Sequence, residues 1–407
     1  MGLAKPSKTY FLIYTTGIMT VEEYCPDSRG EYIANYVSGI PPGLQEATNK
    51  YFGEGSTPNL TVVVPAYNEA TGIQATLWSL NALQRPVEVV VVDNGSTDST
   101  VGVVTDIARE AQIPIELLRE PQKGPVHARK SGCDFVINAY RNRKQHIIGM
   151  IDADTTVPPD WAQSVVAAFT DERTIAAGGT YTFDPRYDKV IRDIHGIDDY
   201  FSGIPKLAAF LVQKGLAKIN TYGANSAIEL GGYAAIGGSR QPINENGIPI
   251  KGSDVRFGDE VRRIGGKVGL IGSVTVTSPR RSIFALREGV DQASVTTMSG
   301  WVDCRIESDV DELRDIASRL NRKTFATHIA ERTSAYLLRS IWRPISTGAL
   351  SVHRLEEVLG DRIECIQGIE QLLNQRGATS EEIARNLSDK YSELFSNEVK
   401  SLMSVSR

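Results

Sequence analysis

The sequence predicts an α/β fold, a mostly parallel sheet with helices on both faces, followed by a helical C-terminal region. Three observations predict it. Between residues 59 and 185, short apolar β-branched runs alternate with segments of helical spacing. Those runs are apolar throughout rather than alternating with polar residues, as strands covered by helices on both sides are. Beyond residue 305, apolar residues recur at intervals of three and four.

The elements follow in order. Residues 1–58 are rich in Tyr, Gly and Pro and read as an N-terminal extension with one strand at Tyr10–Tyr14 and short helices. Leu60–Val64 is the first strand of the main domain and stops at Pro65; Ala70–Leu83 has helical spacing. Val87–Val92 is the second strand, with a helix over 98–111; Ile115–Leu118 is the third, with a helix over Pro125–Ala139. Ile147–Ile151 is the fourth, with a helix over Pro159–Phe169, and Ile175–Tyr181 is the fifth. Right-handed crossovers between the parallel strands are the default. Residues 186–300 are mixed and glycine-containing. Val352, Leu355, Leu359, Ile363, Ile366, Ile369 and Leu373 then mark one helix, and the Thr379-x-x-Glu382 capping box starts the last. The domain reading is 1–58, then 59–285 (a nucleotide-binding half at 59–155 and an acceptor half at 156–285), then 286–407. The C-terminal stripes are packing surface, with homo-oligomer contact as the other reading.

With 41% hydrophobic and 23% charged residues among 407, the chain can bury a large core, which excludes a disordered protein. A net charge of −5 leaves no global electrostatic footprint for nucleic acid. Cys25, Cys133, Cys304 and Cys365 contain no C-x-x-C pair, so a cysteine metal site is not expected. No run reaches the roughly 18 apolar residues of a transmembrane helix. A cytoplasmic protein is expected. The segment Ile204–Ile219, with Lys206, Lys214 and Lys218, is a packing helix or a peripheral membrane contact.

In open α/β sheets, ligands sit beyond the carboxyl ends of the strands. After the first strand comes Pro65-Ala66-Tyr67-Asn68-Glu69. Here Tyr67 and Glu69 can stack on a base and accept from ribose hydroxyls, or the segment is a turn and helix cap. After the second comes Asp93, closing a run of valines; its carboxylate needs a partner there, either a base N–H or a buried cap. After the third comes Lys123-Gly124-Pro125-Val126-His127-Ala128-Arg129. Arg129 is one turn into the helix, where it reaches a phosphate, holds an acidic group, or is a surface arginine; His127 is a packed or solvent-facing histidine. After the fourth come Asp152 and Asp154. Two carboxylates that close raise each other's pKa unless a cation intervenes, and Mg²⁺ or Mn²⁺ shared with diphosphate oxygens is the usual solution; a cap and turn before the helix that Pro158-Pro159 opens is the other reading.

In this order and spacing, VVVPAYNEA, VVVDNGSTDST, KGPVHARKSG and MIDADTTVPPDW resemble the family 2 glycosyltransferases of the GT-A fold. The resemblance continues through Tyr222-Gly223-Ala224-Asn225-Ser226-Ala227, through Gly252-Ser253-Asp254, and through Arg262-Arg263-Ile264-Gly265-Gly266. It covers about residues 59–281. It implies that Pro65, Tyr67, Glu69 and Asp93 hold the nucleoside. It implies that Asp152 and Asp154 form a D-x-D metal motif for Mn²⁺ or Mg²⁺, with Asp154 the direct ligand. Arg129, Arg280 and Arg281 would serve the diphosphate, Asn225 the acceptor, and Asp254 would be the general base. Ser253 stands where the family carries Glu, Glu229 replaces a basic residue, and Asp259 and Glu260 are rival bases.

The function implied is inverting, metal-dependent transfer of a sugar from a nucleotide-sugar, UDP-sugar favoured, to an acceptor hydroxyl on a saccharide, lipid or small metabolite. A catalytically silent sugar-nucleotide binder and a nucleotidyltransferase on a similar sheet are the alternatives. The latter usually carries a glycine-rich loop after the first strand, and PAYNEA has none. A dinucleotide-binding dehydrogenase is disfavoured because G-x-G-x-x-G does not follow that strand.

Overall fold

The computed structural model describes residues 10–14, 17–21, 23–41, 59–143, 145–197, 200–213, 215, 217–240, 253–288 and 310–322. Within these, side chains 10–21, 207, 210, 253–255, 285 and 288 lie outside the description. The first elements are β1 (Tyr10–Tyr14), β2 (Gly17–Val21), α1 (Arg29–Ser38), β3 (Leu60–Ala66), α2 (Ile73–Asn81), β4 (Glu88–Asp93), α3 (Thr100–Glu110) and β5 (Ile115–Arg119). Then come α4 (Pro125–Ala139), β6 (Ile147–Met150), β7 (Thr155–Thr156), α5 (Trp161–Ala167), β8 (Thr174–Phe183), α6 (Pro185–His195) and α7 (Gly203–Gln213). The last are β9 (Ser226–Glu229), α8 (Leu230–Ala235), α9 (Ser253–Arg263), β10 (Lys267–Thr277), α10 (Arg280–Glu288) and α11 (Val310–Arg319). The C-terminal stripe over 352–373 and the capping box at 379–382 lie outside the described residues.

By packing, the chain divides into two compact units. One comprises residues 1–181, 219–278 and 290–307; the other comprises 182–218, 279–289 and 308–407. The first unit is built on an eight-stranded sheet of order β5-β4-β3-β6-β9-β8-β10-β7. β5, β4, β3 and β6 are parallel neighbours, whereas β9 runs antiparallel to β6 and β8, and β7 antiparallel to β10. The period of two in a strand then sorts the valines. Val62, Val64, Val89 and Val91 face the layer of α2, α3 and α5, where Leu77, Ile107 and Trp161 are buried. Val63, Val90 and Val92 face the opposite layer, where Val136 and Ile137 of α4, Tyr233 of α8 and Val261 of α9 are buried. The uninterrupted apolar runs are thus explained by helices on both faces, as predicted.

The N-terminal residues do not stand apart as an extension. Tyr24, Ile33 and Ile40 belong to the core on the α4 side. The Tyr36 hydroxyl donates to Asp134 Oδ1 at 2.7 Å, and Arg29 pairs with buried Glu229 at 3.1 Å. The apolar residues of α1 recur at helical spacing and find their cover on α8 and α4. This also accounts for the carboxylate at position 229: it faces Arg29 and the Tyr24 hydroxyl. Burial raises its pKa and Arg29 opposes that.

The described residues of the second unit are mainly helical. The Asp184 side chain caps α6 by accepting from Arg186 N at 2.9 Å, and Gly196 ends that helix in the left-handed region (φ 66°). Phe201 packs edge-on against Phe183, Tyr187 and Tyr200. His195 Nε2 meets the Ala317 carbonyl at 2.7 Å, and Arg287 pairs with Glu312 at 3.0 Å, joining α6 and α10 to α11. On α7, Ala208 and Leu211 are buried, while Lys214 lies outside the described residues. Among the described residues, no helix is long and apolar enough to cross a membrane.

A buried polar cluster lies where β3 and β4 begin. The hydroxyls of Thr61 and Tyr140 donate to Glu88 Oε2, His146 Nε2 lies 2.9 Å from Thr61 Oγ1, and the His146 ring stacks on Tyr140. Burial, aided by the charge of Arg143, pushes the imidazole from 6.5 down to about 3. The folded value is depressed. The stability His146 contributes is therefore present above about pH 6.5 and lost as the pH falls toward about 3, at up to about 1.4 kcal/mol per pH unit. Glu88, raised by burial, has the opposite sign: its contribution is present below its unfolded pKa and lost as the pH rises through the folded one. Urea unfolding between pH 6.5 and 5 should show wild-type stability declining with acid and a flatter decline in His146→Gln. Equal slopes would contradict this reading.

Candidate active site

β3, β4 and β5 end level with one another, and β6 ends three residues earlier. Ala66 of β3 is opposite Asp93 of β4, which is opposite Arg119 of β5, and Val63 is opposite Met150 of β6. The segments that follow therefore emerge along one sheet edge, where side-chain hydrogen bonds knit them together. Asn68 takes a positive φ of 53°, which Asn tolerates better than most residues. Its N–H donates to Ser96 Oγ at 3.0 Å, and its Oδ1 accepts from Thr97 N at 2.8 Å. Glu69 N donates to Thr100 Oγ1 at 2.8 Å, and Ala70 N to Asp98 Oδ2 at 3.2 Å. The Glu69 carbonyl accepts from Gly72 N and Ile73 N, opening α2, so this residue also serves as a turn and cap. The Pro65–Glu69 segment and the Asp93–Thr100 segment are thereby held as one surface.

Asp93 is only 4% exposed. Its Oδ2 accepts from Gly95 N at 3.2 Å and its Oδ1 from Ser96 N at 3.0 Å. Both oxygens are fixed in place, which is the buried-cap reading; each retains a lone pair that a ligand N–H can use. The sequence reading gave Lys123 no role, yet it closes this corner. Its ammonium donates to the carbonyls of Asn94 and Gly95, each at 2.9 Å, and lies 4.0 Å from the Tyr67 ring centroid. The available signal was Lys-Gly just before a helix, with Gly124 taking φ 131°.

Arg129, in the first turns of α4, meets Asp152 Oδ1 at 2.5 Å. Of its open readings, holding an acidic group is the one observed. The Asp152 carbonyl accepts from Thr155 N at 3.1 Å, closing the turn that carries Asp154. Asp154 Oδ1 accepts from Thr277 Oγ1 at 3.3 Å, and its carbonyl from Ser278 N at 3.2 Å. The end of β10 thus braces the acidic pair. A Cβ at Gly72 would lie 3.4 Å from Asp154 Cα, so α2 begins directly against it. Among the described residues, no three His, Cys, Asp or Glu side chains form a ready-made metal cage. Hard carboxylate oxygens on a tight turn nevertheless fit Mg²⁺ or Mn²⁺ completed by phosphate oxygens. With Asp152 engaged by Arg129, Asp154 is the residue suited to direct ligation.

Asn225 departs from expectation. It is fully buried, its Nδ2 donates to the carbonyls of Thr180 (2.8 Å) and Ser273 (2.9 Å), and its Oδ1 accepts from Trp161 Nε1 at 2.9 Å. An amide with both N–H groups and its oxygen already used inside the sheet is a clamp on β8, β10 and α5, not an acceptor contact. Asn225→Ala leaves two carbonyls and one indole N–H buried without partners, so we expect urea unfolding to lose about 3 kcal/mol. A loss under about 1 kcal/mol would contradict the clamp.

Asp254 lies in the first turn of α9, on the helix face shared with Phe257, Gly258 and Val261; its side chain lies outside the described residues. Gly258 N, on that face, donates to Thr221 Oγ1 at 2.9 Å, and two residues further on Gly223 abuts Arg129 and Asp152. The rivals are engaged on their own helix, Asp259 with Arg262 at 3.1 Å and Glu260 with Arg263. Arg280 and Arg281 open α10, in the other compact unit.

The profile described as Glycosyl transferase family 2 matches residues 61–226. The succinoglycan biosynthesis protein ExoO of Rhizobium meliloti is 38% identical over 128 residues, covering 31% of this chain and 33% of that one. Glycosyltransferase AglE of Haloferax volcanii is 29% identical over 133 residues, covering 31% and 40%. The chain thus spans 40% or less of the length of these relatives. The solved structure of mannosyltransferase PcManGT from Pyrobaculum calidifontis aligns over 93% of this chain and 99% of that one, at 17% identity and a TM-score of 0.40. Over residues 61–226, which carry β3 to β8 and the acidic pair, the chain is thus similar to glycosyl transferase family 2.

Proposed function

We propose that the protein is an inverting, metal-dependent glycosyltransferase that moves a sugar from a nucleotide-sugar, UDP-sugar favoured, to an acceptor hydroxyl. The observation that carries this reading is the acidic turn of Asp152 and Asp154 beside the joined Pro65–Glu69 and Asp93–Thr100 segments, at the carboxyl edge of parallel strands in a domain similar to family 2. Pro65, Tyr67, Glu69 and Asp93 hold the nucleoside, with the Asp93 oxygens already fixed by two backbone N–H groups. Asp154 holds Mn²⁺ or Mg²⁺, which when bound neutralises charge on the diphosphate. The acceptor oxygen attacks C1 from the face opposite the diphosphate. The C1–O bond breaks with its electron pair going to the diphosphate, and Asp254 takes the acceptor's proton. The engagement of Asp259 and Glu260 with arginines supports Asp254 in that role. The acceptor is a saccharide, lipid or small metabolite.

A thermal-shift panel tests the reading. A ligand that binds only the native state raises the melting temperature by mass action. UDP and UDP-sugars are expected to raise it with Mn²⁺ and far less without. No shift with any nucleoside diphosphate or nucleotide-sugar, with metal present, would contradict the reading.

A further inference from the structure

Three segments far apart in sequence meet at one point of the sheet edge. Arg129 comes from the start of α4, Asp152 from the turn after β6, and Gly223 from the chain entering β9. The Arg129 and Asp152 side chains are mostly buried, at 13% and 28% exposure, and their contact distance is 2.5 Å. A Cβ at Gly223 would lie 2.2 Å from the Arg129 guanidinium nitrogen and 2.9 Å from Asp152 Oδ1. A side chain there requires the guanidinium to shift from its present seat on the carboxylate. The same turn presents Asp154, because the Asp152 carbonyl accepts from Thr155 N. Fixing the Asp152 side chain therefore fixes where Asp154 points. It also supplies a cation beside two carboxylates that otherwise repel each other.

We propose that Arg129 is a positioning residue that acts on the donor through Asp152 rather than by touching the phosphates, and that Gly223 is the seat that keeps the pair closed. This rests on the glycosyltransferase reading of the site. It makes a distinctive claim about energetics. If Arg129 acts only through Asp152, then once Asp152 is altered, removing Arg129 costs little more. If Arg129 binds phosphate directly, the two losses add.

The experiment is a double-mutant cycle by isothermal titration of UDP and of GDP in saturating Mn²⁺, on the full chain. The variants are Arg129→Gln, Asp152→Asn, the double substitution, and Gly223→Ala, each checked for native folding by urea unfolding. Each single variant is expected to weaken binding about tenfold or more, the strength of a buried charged pair. The double variant should be within about threefold of the weaker single, and Gly223→Ala should match Arg129→Gln. Additive losses overturn the positioning role, as does a Gly223→Ala variant that binds like wild type. If either member of the pair fails to fold, the cycle is closed with Arg129→Lys and Asp152→Glu and read by the same additivity. Wild-type protein that binds neither nucleotide overturns the proposed function itself, and this inference with it. Wild type that binds while the losses add overturns only the inference.

Discussion

Asp154→Ala is expected to abolish transfer and metal-dependent nucleotide binding together, and EDTA is expected to do the same to the wild-type protein until Mn²⁺ or Mg²⁺ is restored. The reason is local. Asp152 is committed to Arg129 at 2.5 Å, so Asp154 is the carboxylate of the turn suited to ligate a cation. Without that ligand no cation is held beside the diphosphate, and its two negatively charged phosphates enter the site unneutralised, which low-dielectric surroundings penalise strongly. Thr277→Val gives a graded comparison. It removes the hydroxyl that donates to Asp154 Oδ1 but leaves the carboxylate, and should weaken the metal requirement only a few-fold, as losing one exposed or half-buried hydrogen bond does. Full activity of Asp154→Ala, or of wild type in chelator, would remove the metal from the account. Calorimetric titration of UDP with and without Mn²⁺, beside a turnover assay, provides both readouts.

Asp254→Asn should lower kcat by at least about 10², within the range general-base help typically supplies, while leaving nucleotide affinity in metal within a few-fold. The residue lies in the first turn of α9. The amide keeps the size and loses the proton acceptor. Asp259→Asn and Glu260→Gln are the controls. Each removes one surface ion pair on the same helix, worth about 1 kcal/mol or less, and should retain most activity. A normal Asp254→Asn with one dead control moves the base by about one turn. Three active variants would end the single-displacement mechanism.

The parts of this site that were legible in the sequence are those where chemistry and periodicity coincide. β3, β4 and β6 announce themselves because Val and Ile runs buried on both faces stop at Pro65, Asp93 and Asp152, the residues that begin the site. β9 was not legible. Ser226–Glu229 is four residues long with a single β-branched side chain, and its place between β6 and β8 is fixed by tertiary pairing. The two residues of β7 are fixed only by β10. The role of Tyr24 and Ile33 depends on which surface covers them, and a local pattern cannot say that. Asn225 shows the same limit in a functional residue. An asparagine beside an acceptor and one clamping three strand and helix segments have identical side chains, and only burial with three satisfied hydrogen bonds separates them. For Arg129, of three readings open in the sequence, the contact with Asp152 is the one the fold displays.

The central claim is single-displacement transfer from a nucleotide-sugar, and the stereochemistry of the product tests it most directly. Wild-type protein with Mn²⁺ would be followed by proton NMR on a panel of α-linked UDP- and GDP-sugars, with water as acceptor where none is supplied. The account predicts that the β-anomer of the released or transferred sugar appears first, that the signal is lost in EDTA, and that Asp254→Asn slows its appearance by at least about 10². An α-anomer formed first, or no consumption of any donor on the panel, would contradict it.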